Sequence, residues 1–305
     1  MTTPRDGHLH RSAAHRDRPR LAGAMALTAG IFVAEIVAGL ASGSLALLAD
    51  AGHAFADISG MALSLTAVWI AARPGSIGRS FGLHRLEILA AALNAVLLLG
   101  IAIVVLLEAV RRFVSPPEIQ PGLVAIVAAG ALAVNLVSLR LLRPASGESL
   151  TMRGAYLEVM GDVLGAAAVL ASGLVILATG WRQADAVASA AVAFLIVPRT
   201  VQLLRESVDV LLEATPRGVD LSEVERHILE APGVLEVHDL HAWTITSGMN
   251  VVSAHVVLGP DGQPGEILDH LGECLADDFD IGHSTFQLET PEHVLWEARA
   301  SRPGL

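Results

Sequence analysis

Two pairs of metal-ligating side chains stand at helical spacing inside otherwise apolar stretches. In Asp50-Ala51-Gly52-His53-Ala54-Phe55-Ala56-Asp57, His53 and Asp57 are four residues apart. That is about 40° around an α-helix, so both point to one side, and Asp50 shares their face. Glu158 and Asp162 repeat the i, i+4 spacing further along. A carboxylate at bilayer depth is costly unless it is paired, protonated or bound to a cation. Neither stretch carries a basic residue of its own. An interhelical hydrogen bond would account for one such group; two pairs argue for a cation. An imidazole and three carboxylates on two helices can form the four-coordinate shell that zinc and related first-row ions take. Asp50 lies nearer its helix start and is expected to support the shell or admit the ion. Glu35, Asn94, Glu108 and Asn135 read as packing or pore-lining polar groups.

The elements that would hold these residues are membrane helices. Of 305 residues, 53% are hydrophobic and 17% charged, below the roughly 25% charged of ordinary soluble domains. Six apolar windows, at 21–42, 45–72, 86–110, 123–142, 155–178 and 185–204, are each long enough to cross about 30 Å of hydrocarbon. Turn-rich or charged breaks separate them, including Ser42-Gly43-Ser44, Arg73-Pro74-Gly75, Ser115-Pro116-Pro117 and 144–147. Backbone in lipid must satisfy its own hydrogen bonds, so the windows read as helices. Pro198 is expected to kink the sixth or mark its end. Arginine asymmetry orients the bundle. Arg73, Arg79, Arg85, Arg140, Arg143, Arg153, Arg199 and Arg205 fall on the side of the Arg-rich N-terminus, against Arg111, Arg112 and Arg182 on the other. Both termini are therefore expected in the cytoplasm of a multi-pass inner-membrane protein.

After Arg205 the pattern changes. Residues 221–231 read as an amphipathic helix, 234–246 and 251–258 as strands, 266–275 as a helix and 285–288 as a last strand. This αββαβ order fits a small two-layer α+β domain. The expected organisation is an arm at 1–20, a six-helix transmembrane domain at 21–205, a cytoplasmic domain at 206–290 and a tail at 291–305. The single cysteine, Cys274, excludes an internal disulfide framework and a four-cysteine zinc cluster. No HExxH-type motif occurs, and the chain is not expected to be an enzyme. It needs no catalytic cofactor, and no nucleic-acid partner is expected.

Several strings together resemble one family. Gly43-Ser44-Leu45-Ala46-Leu47-Leu48-Ala49-Asp50-Ala51-Gly52-His53 is similar to the second-helix signature of the cation diffusion facilitators. Phe81-Gly82-Leu83-His84-Arg85-Leu86-Glu87, Ser115-Pro116-Pro117-Glu118, Arg153-Gly154-Ala155-Tyr156-Leu157, Leu211-Leu212-Glu213-Ala214-Thr215-Pro216 and Val237-His238-Asp239-Leu240-His241-Ala242-Trp243 follow in the family's order. The resemblance implies a homodimeric metal/proton antiporter that exports zinc or related ions from the cytoplasm by alternating access. It implies a transport site built from one HxxxD pair on the second helix and another on the fifth: here His53 with Asp57, and Glu158 with Asp162. Glutamate stands where the zinc carriers usually have histidine. A hard oxygen favours manganese, iron or cobalt relative to zinc without excluding zinc; cadmium is a further candidate cargo. It also alters proton coupling, because imidazole titrates near neutrality and a carboxylate ordinarily well below it.

The same resemblance implies a ferredoxin-like, metallochaperone-like cytoplasmic module with metal ligands at His238 and His255, joined by His283 and Glu289. His241 carries less weight. His8, His10 and His15 read as a solvated, disordered tail before they read as a loose metal-capturing arm, and His84 alone does not make a second loop site. A membrane metal sensor without flux would use the same ligands, and proton-dependent flux separates the two.

Overall fold

The computed structural model describes residues 29–71, 77–142 and 150–293. The arm at 1–20, the start of the first window, the breaks at 73–75 and 144–149, and the tail beyond 293 lie outside the described residues. The described elements run α1 (Ala29–Ser42), α2 (Leu45–Ala71), α3 (Leu86–Val114), α4 (Pro121–Leu142), α5 (Leu150–Thr179), α6 (Gln183–Leu211), α7 (Leu221–Leu229), β1 (Val234–Thr246), β2 (Met249–Leu258), α8 (Pro264–Phe279) and β3 (His283–Glu289). They form two compact units, one of 29–62 with 93–202 and the other of 63–92 with 203–293.

Among the described residues, four helices, α3, α4, α5 and α6, are long and apolar enough to cross a membrane. Their packing is that of a lipid-facing bundle. Ala38, Ala46, Ala49, Ala102, Ala128 and Ala193 are buried with Leu47, Val124, Val169 and Val192. Large side chains such as Val37, Leu97, Val104, Leu107, Ile126 and Phe194 are exposed. Small residues let helix backbones approach, while lipid supplies an apolar surround for the large ones. At Gly173 on α5 a Cβ would sit 3.1 Å from the Ala125 backbone nitrogen of α4, so the absence of a side chain sets that approach.

The connection into α2 is pinned from three sides. Gly43 turns the chain at φ +75°, a conformation glycine adopts at no steric cost. Its carbonyl accepts from Arg112 Nη1 at 2.6 Å, and the Ser42 carbonyl accepts from the Gln120 N–H at 3.0 Å. Buried Asp185 at the start of α6 accepts from the Leu45 N–H at 2.8 Å and from the Ser44 hydroxyl. A carboxylate supplied by another helix thus answers donors left open at an N-terminus. These contacts fix where α2 begins, and with it the faces of Asp50, His53 and Asp57.

Several helices outrun their apolar windows. Arg111 and Arg112 pair with Glu108 one turn back, so α3 continues to Val114 before Pro116 and Pro117. Pro198 neither ends nor replaces the last turn of α6, which continues past Arg205 to Leu211. Charge ends a hydropathy window, but it does not end a helix. The stop comes where Glu213 takes φ +58° and Pro216 follows.

In the second unit the order α7-β1-β2-α8-β3 matches the expected αββαβ. β1 and β2 pair antiparallel, β2 and β3 parallel, in a three-stranded sheet of order β1-β2-β3. Val252, Ala254 and Val256 alternate along β2 and pack with Val224 and Ile228 of α7 and Ile267, Leu271 and Leu275 of α8. Both helices therefore cover one face. Asp220 caps α7 through the Ser222 N–H, as short carboxylates do.

Candidate metal centres

α2 and α5 bring three of the expected transport-site residues together. His53 Nε2 lies 3.5 Å from Asp57 Oδ2 and 3.5 Å from Asp162 Oδ1. The first contact is the i, i+4 pair within α2, and the second crosses to α5. Each of the three offers a ligand atom within 4.8 Å of the other two. Tetrahedral metal bonds of 2.0–2.1 Å place donors about 3.4 Å apart, and the two separations from His53 Nε2 match such edges.

They line a cavity of about 20 Å³ together with Ile31, Glu35, Ala54, Asp50 and Asn135. That volume admits about one water-sized species. Four carboxylates and one imidazole around so small a space call for a cation. Asp50 is buried behind the shell, and a Cβ on Gly165 of α5 would meet its Oδ1 at 2.8 Å. Glycine there lets α5 close over Asp50. Glu35, 2% exposed, and Asn135 line the same cavity from α1 and α4.

Glu158 is not brought to the other three. Its Oε2 lies 3.3 Å from Arg199 Nη2 of α6, and it is absent from the close-packed donor group. The apolar windows 45–72 and 155–178 hold no arginine or lysine; the partner of Glu158 comes from a third helix. The spacing of Glu158 and Asp162 correctly gives their shared helix, but the longer glutamate turns to the neighbouring cation.

A second cluster lies in the α+β unit. β1 and β2 place His238 opposite His255, with ring centroids 5.0 Å apart. Alternation puts His255 on the face away from the helices, since Ala254 and Val256 face the core. Glu289 at the end of β3 reaches both, at 3.3 Å to His238 Nε2 and 2.7 Å to His255 Nδ1. His283 does not join them. It begins β3, about 20 Å along the strand from Glu289 at about 3.3 Å per residue, and packs edge-on against Phe81. Asp239 replaces it as a neighbour, since His238, Asp239 and His255 each offer a donor within 4.8 Å of one another. Asp239 sits at φ +47° where the β1–β2 register shifts between His238 and His241. No alternation argument could have found it, because the bulge breaks the alternation.

Two family models together match most of the chain. A family model described as the cation efflux transmembrane domain matches residues 21–212, and one described as the cation efflux protein cytoplasmic domain matches 216–291. The metal cation efflux system protein CzcD of Cupriavidus metallidurans is 44% identical, over 93% of this chain and 90% of that protein. The zinc transporter ZitB of Escherichia coli is 38% identical over 88% and 87%. The cadmium, cobalt and zinc/H(+)-K(+) antiporter of Bacillus velezensis is 35% identical over 97% and 98%.

Proposed function

The chain belongs to the cation efflux family, the cation diffusion facilitators, and from that premise we propose how it carries a divalent metal ion out of the cytoplasm. It is a multi-pass membrane transporter with a small α+β domain. Zinc is the first cargo to test, because relatives are named for zinc and for cadmium, cobalt and zinc. The observation that carries the mechanism is the His53–Asp57–Asp162 group, drawn from two helices around a cavity with room for one small species.

In this reading α1 and α2 complete a six-helix bundle with the four apolar helices; α2, at 27 residues, rises about 40 Å. The bundle lies in the inner membrane with both termini in the cytoplasm, spanning about 21–205, and the 206–290 domain pairs two copies of the chain. Metal arriving from the cytoplasm displaces protons from His53, Asp57 and Asp162. Glu158, one turn from Asp162, supplies the fourth ligand once it leaves Arg199. Helix movement exposes the site to the far side, where incoming protons take the ligands and release the metal. A divalent ion suits a site that otherwise gathers uncompensated carboxylates, and protons are the other species able to neutralise them. His238, His255 and Glu289 form a separate cytoplasmic metal site, with His283 available only to a partner or a second ion.

Proteoliposomes loaded with a zinc-sensitive dye and placed under a pH gradient test this. Wild type should move zinc with the gradient, and Asp162→Ala or Asp57→Ala should abolish gradient-driven flux. Either variant retaining wild-type flux would remove these residues from the transport site.

A further inference from the structure

The fifth-helix pair is divided. Asp162 faces His53 on α2 at 3.5 Å. Glu158, one turn earlier, turns toward α6 and meets Arg199 Nη2 at 3.3 Å. The guanidinium therefore holds the one carboxylate of the pair that is missing from the clustered donors. The two groups sit at the edge of the site and not in its core: the Glu158 side chain is 35% exposed and that of Arg199 60%. Arg199 is nevertheless within electrostatic range of Asp57, as Glu158 is. One helical turn is about 5.4 Å, and a glutamate side chain with three rotatable bonds can cover much of that. Glu158 thus has two reachable partners, a fixed cation on α6 and a metal held by His53, Asp57 and Asp162.

We propose that Arg199 is a positioning residue that acts as the resting counter-charge of the transport site. Paired with Glu158, it neutralises that carboxylate when no metal is present, and metal must displace it to gain its fourth ligand. The consequence is a lowered metal affinity at rest and an internal cation ready to take Glu158 back when the metal leaves. An exposed ion pair is weak, which suits the role. A partner held tightly would keep Glu158 from the metal, and no partner at all would leave the metal with nothing to compete against. This inference rests on the reading of His53, Asp57 and Asp162 as the transport site, and its test separates the two.

The test is zinc titration by calorimetry, in the presence of a competing chelator, on the full chain in lipid nanodiscs. The binding component that Asp162→Ala removes is the transport site. Arg199→Ala should tighten that component about three- to fivefold, the scale of one exposed ion pair. Arg199→Lys, which keeps the charge, should stay near wild type. In a Glu158→Gln background the tightening from Arg199→Ala should shrink to what the charge alone exerts on Asp57, because the competition for Glu158 has already gone. The proposal is overturned if Arg199→Ala binds zinc equally or more weakly. It is overturned equally if Arg199→Lys tightens as much as alanine, or if the tightening survives intact in Glu158→Gln. If Asp162→Ala removes no component at all, the transport-site assignment itself fails.

Discussion

Asp185 should be the residue on which the placement of α2 depends, although it is no part of the metal site. It is 1% exposed and accepts from the Leu45 N–H at 2.8 Å, the Ser44 hydroxyl at 2.5 Å and the Ala46 N–H at 3.4 Å. Asp185→Ala strands these donors where no solvent reaches. Losing a helix cap costs about 0.5–2 kcal/mol, and a buried donor left unsatisfied about 1–3 kcal/mol. The Ala46 contact is long, and Ser44 Oγ retains the Leu47 N–H it accepts at 3.2 Å. The strong loss is therefore the Leu45 bond and the Ser44 hydroxyl, together about 2–6 kcal/mol. Asp185→Asn keeps one acceptor oxygen and should lose about half of that. The assay is equilibrium unfolding of the purified protein in mixed micelles by SDS titration, with zinc binding measured on the folded fraction. His53 lies about 12 Å further along α2, so a loosened start should also weaken zinc binding in the order wild type, Asn, Ala. An alanine variant within about 0.5 kcal/mol of wild type, smaller than any buried cap loss, would refute the reasoning. So would an asparagine variant that costs as much as alanine.

Glu158→His restores the imidazole of the zinc-carrier pattern and should raise the zinc-to-manganese transport ratio in competition assays; an unchanged ratio would take Glu158 out of the metal shell. Gly165→Ala puts a Cβ 2.8 Å from Asp50 Oδ1 and should cost about 1–3 kcal/mol by overpacking, with weaker zinc binding. Wild-type stability and affinity would show that α5 has room beside Asp50. His255→Ala removes the partner 2.7 Å from Glu289. It should abolish zinc-dependent tightening of the dimer, followed by fluorescence energy transfer between labelled full-length chains, while the Asp162-dependent component of zinc binding persists. A dimer response equal to wild type would place the cytoplasmic metal elsewhere.

Local periodicity carried most of what was readable from residues alone. His53 and Asp57 are on one helix, so a 3.6-residue repeat is enough to put them on one face, and the structure puts them 3.5 Å apart. The αββαβ order was readable because its strands alternate and its helices are amphipathic. The pairing of His238 with His255 needed register, which two strands joined by Ser247-Gly248 determine once the turn is known. Asp239 was not readable, because its approach to those histidines depends on a bulge at positive φ. The ends of α3 and α6 were missed for a simpler reason: hydropathy marks where lipid ends, and helical hydrogen bonding continues beyond it.

Glu158 shows where that kind of reading runs out. A sequence window can report whether its own stretch carries a counter-charge, and residues 155–178 hold no arginine or lysine. It cannot report what a third helix presents, and here α6 presents Arg199. The same four residues, His53, Asp57, Glu158 and Asp162, can therefore form one shell or divide into three and one. Which arrangement holds depends on the relative strength of two cations for one carboxylate. A monovalent guanidinium at a partly exposed position contributes little, whereas a divalent ion among three further ligands gains from all of them at once. On the proposal made above, Arg199 holds Glu158 until a divalent ion draws it into the shell. A transporter must bind its cargo and also release it, and the proposed competition from Arg199 would serve the second need while leaving Glu158 available for the first.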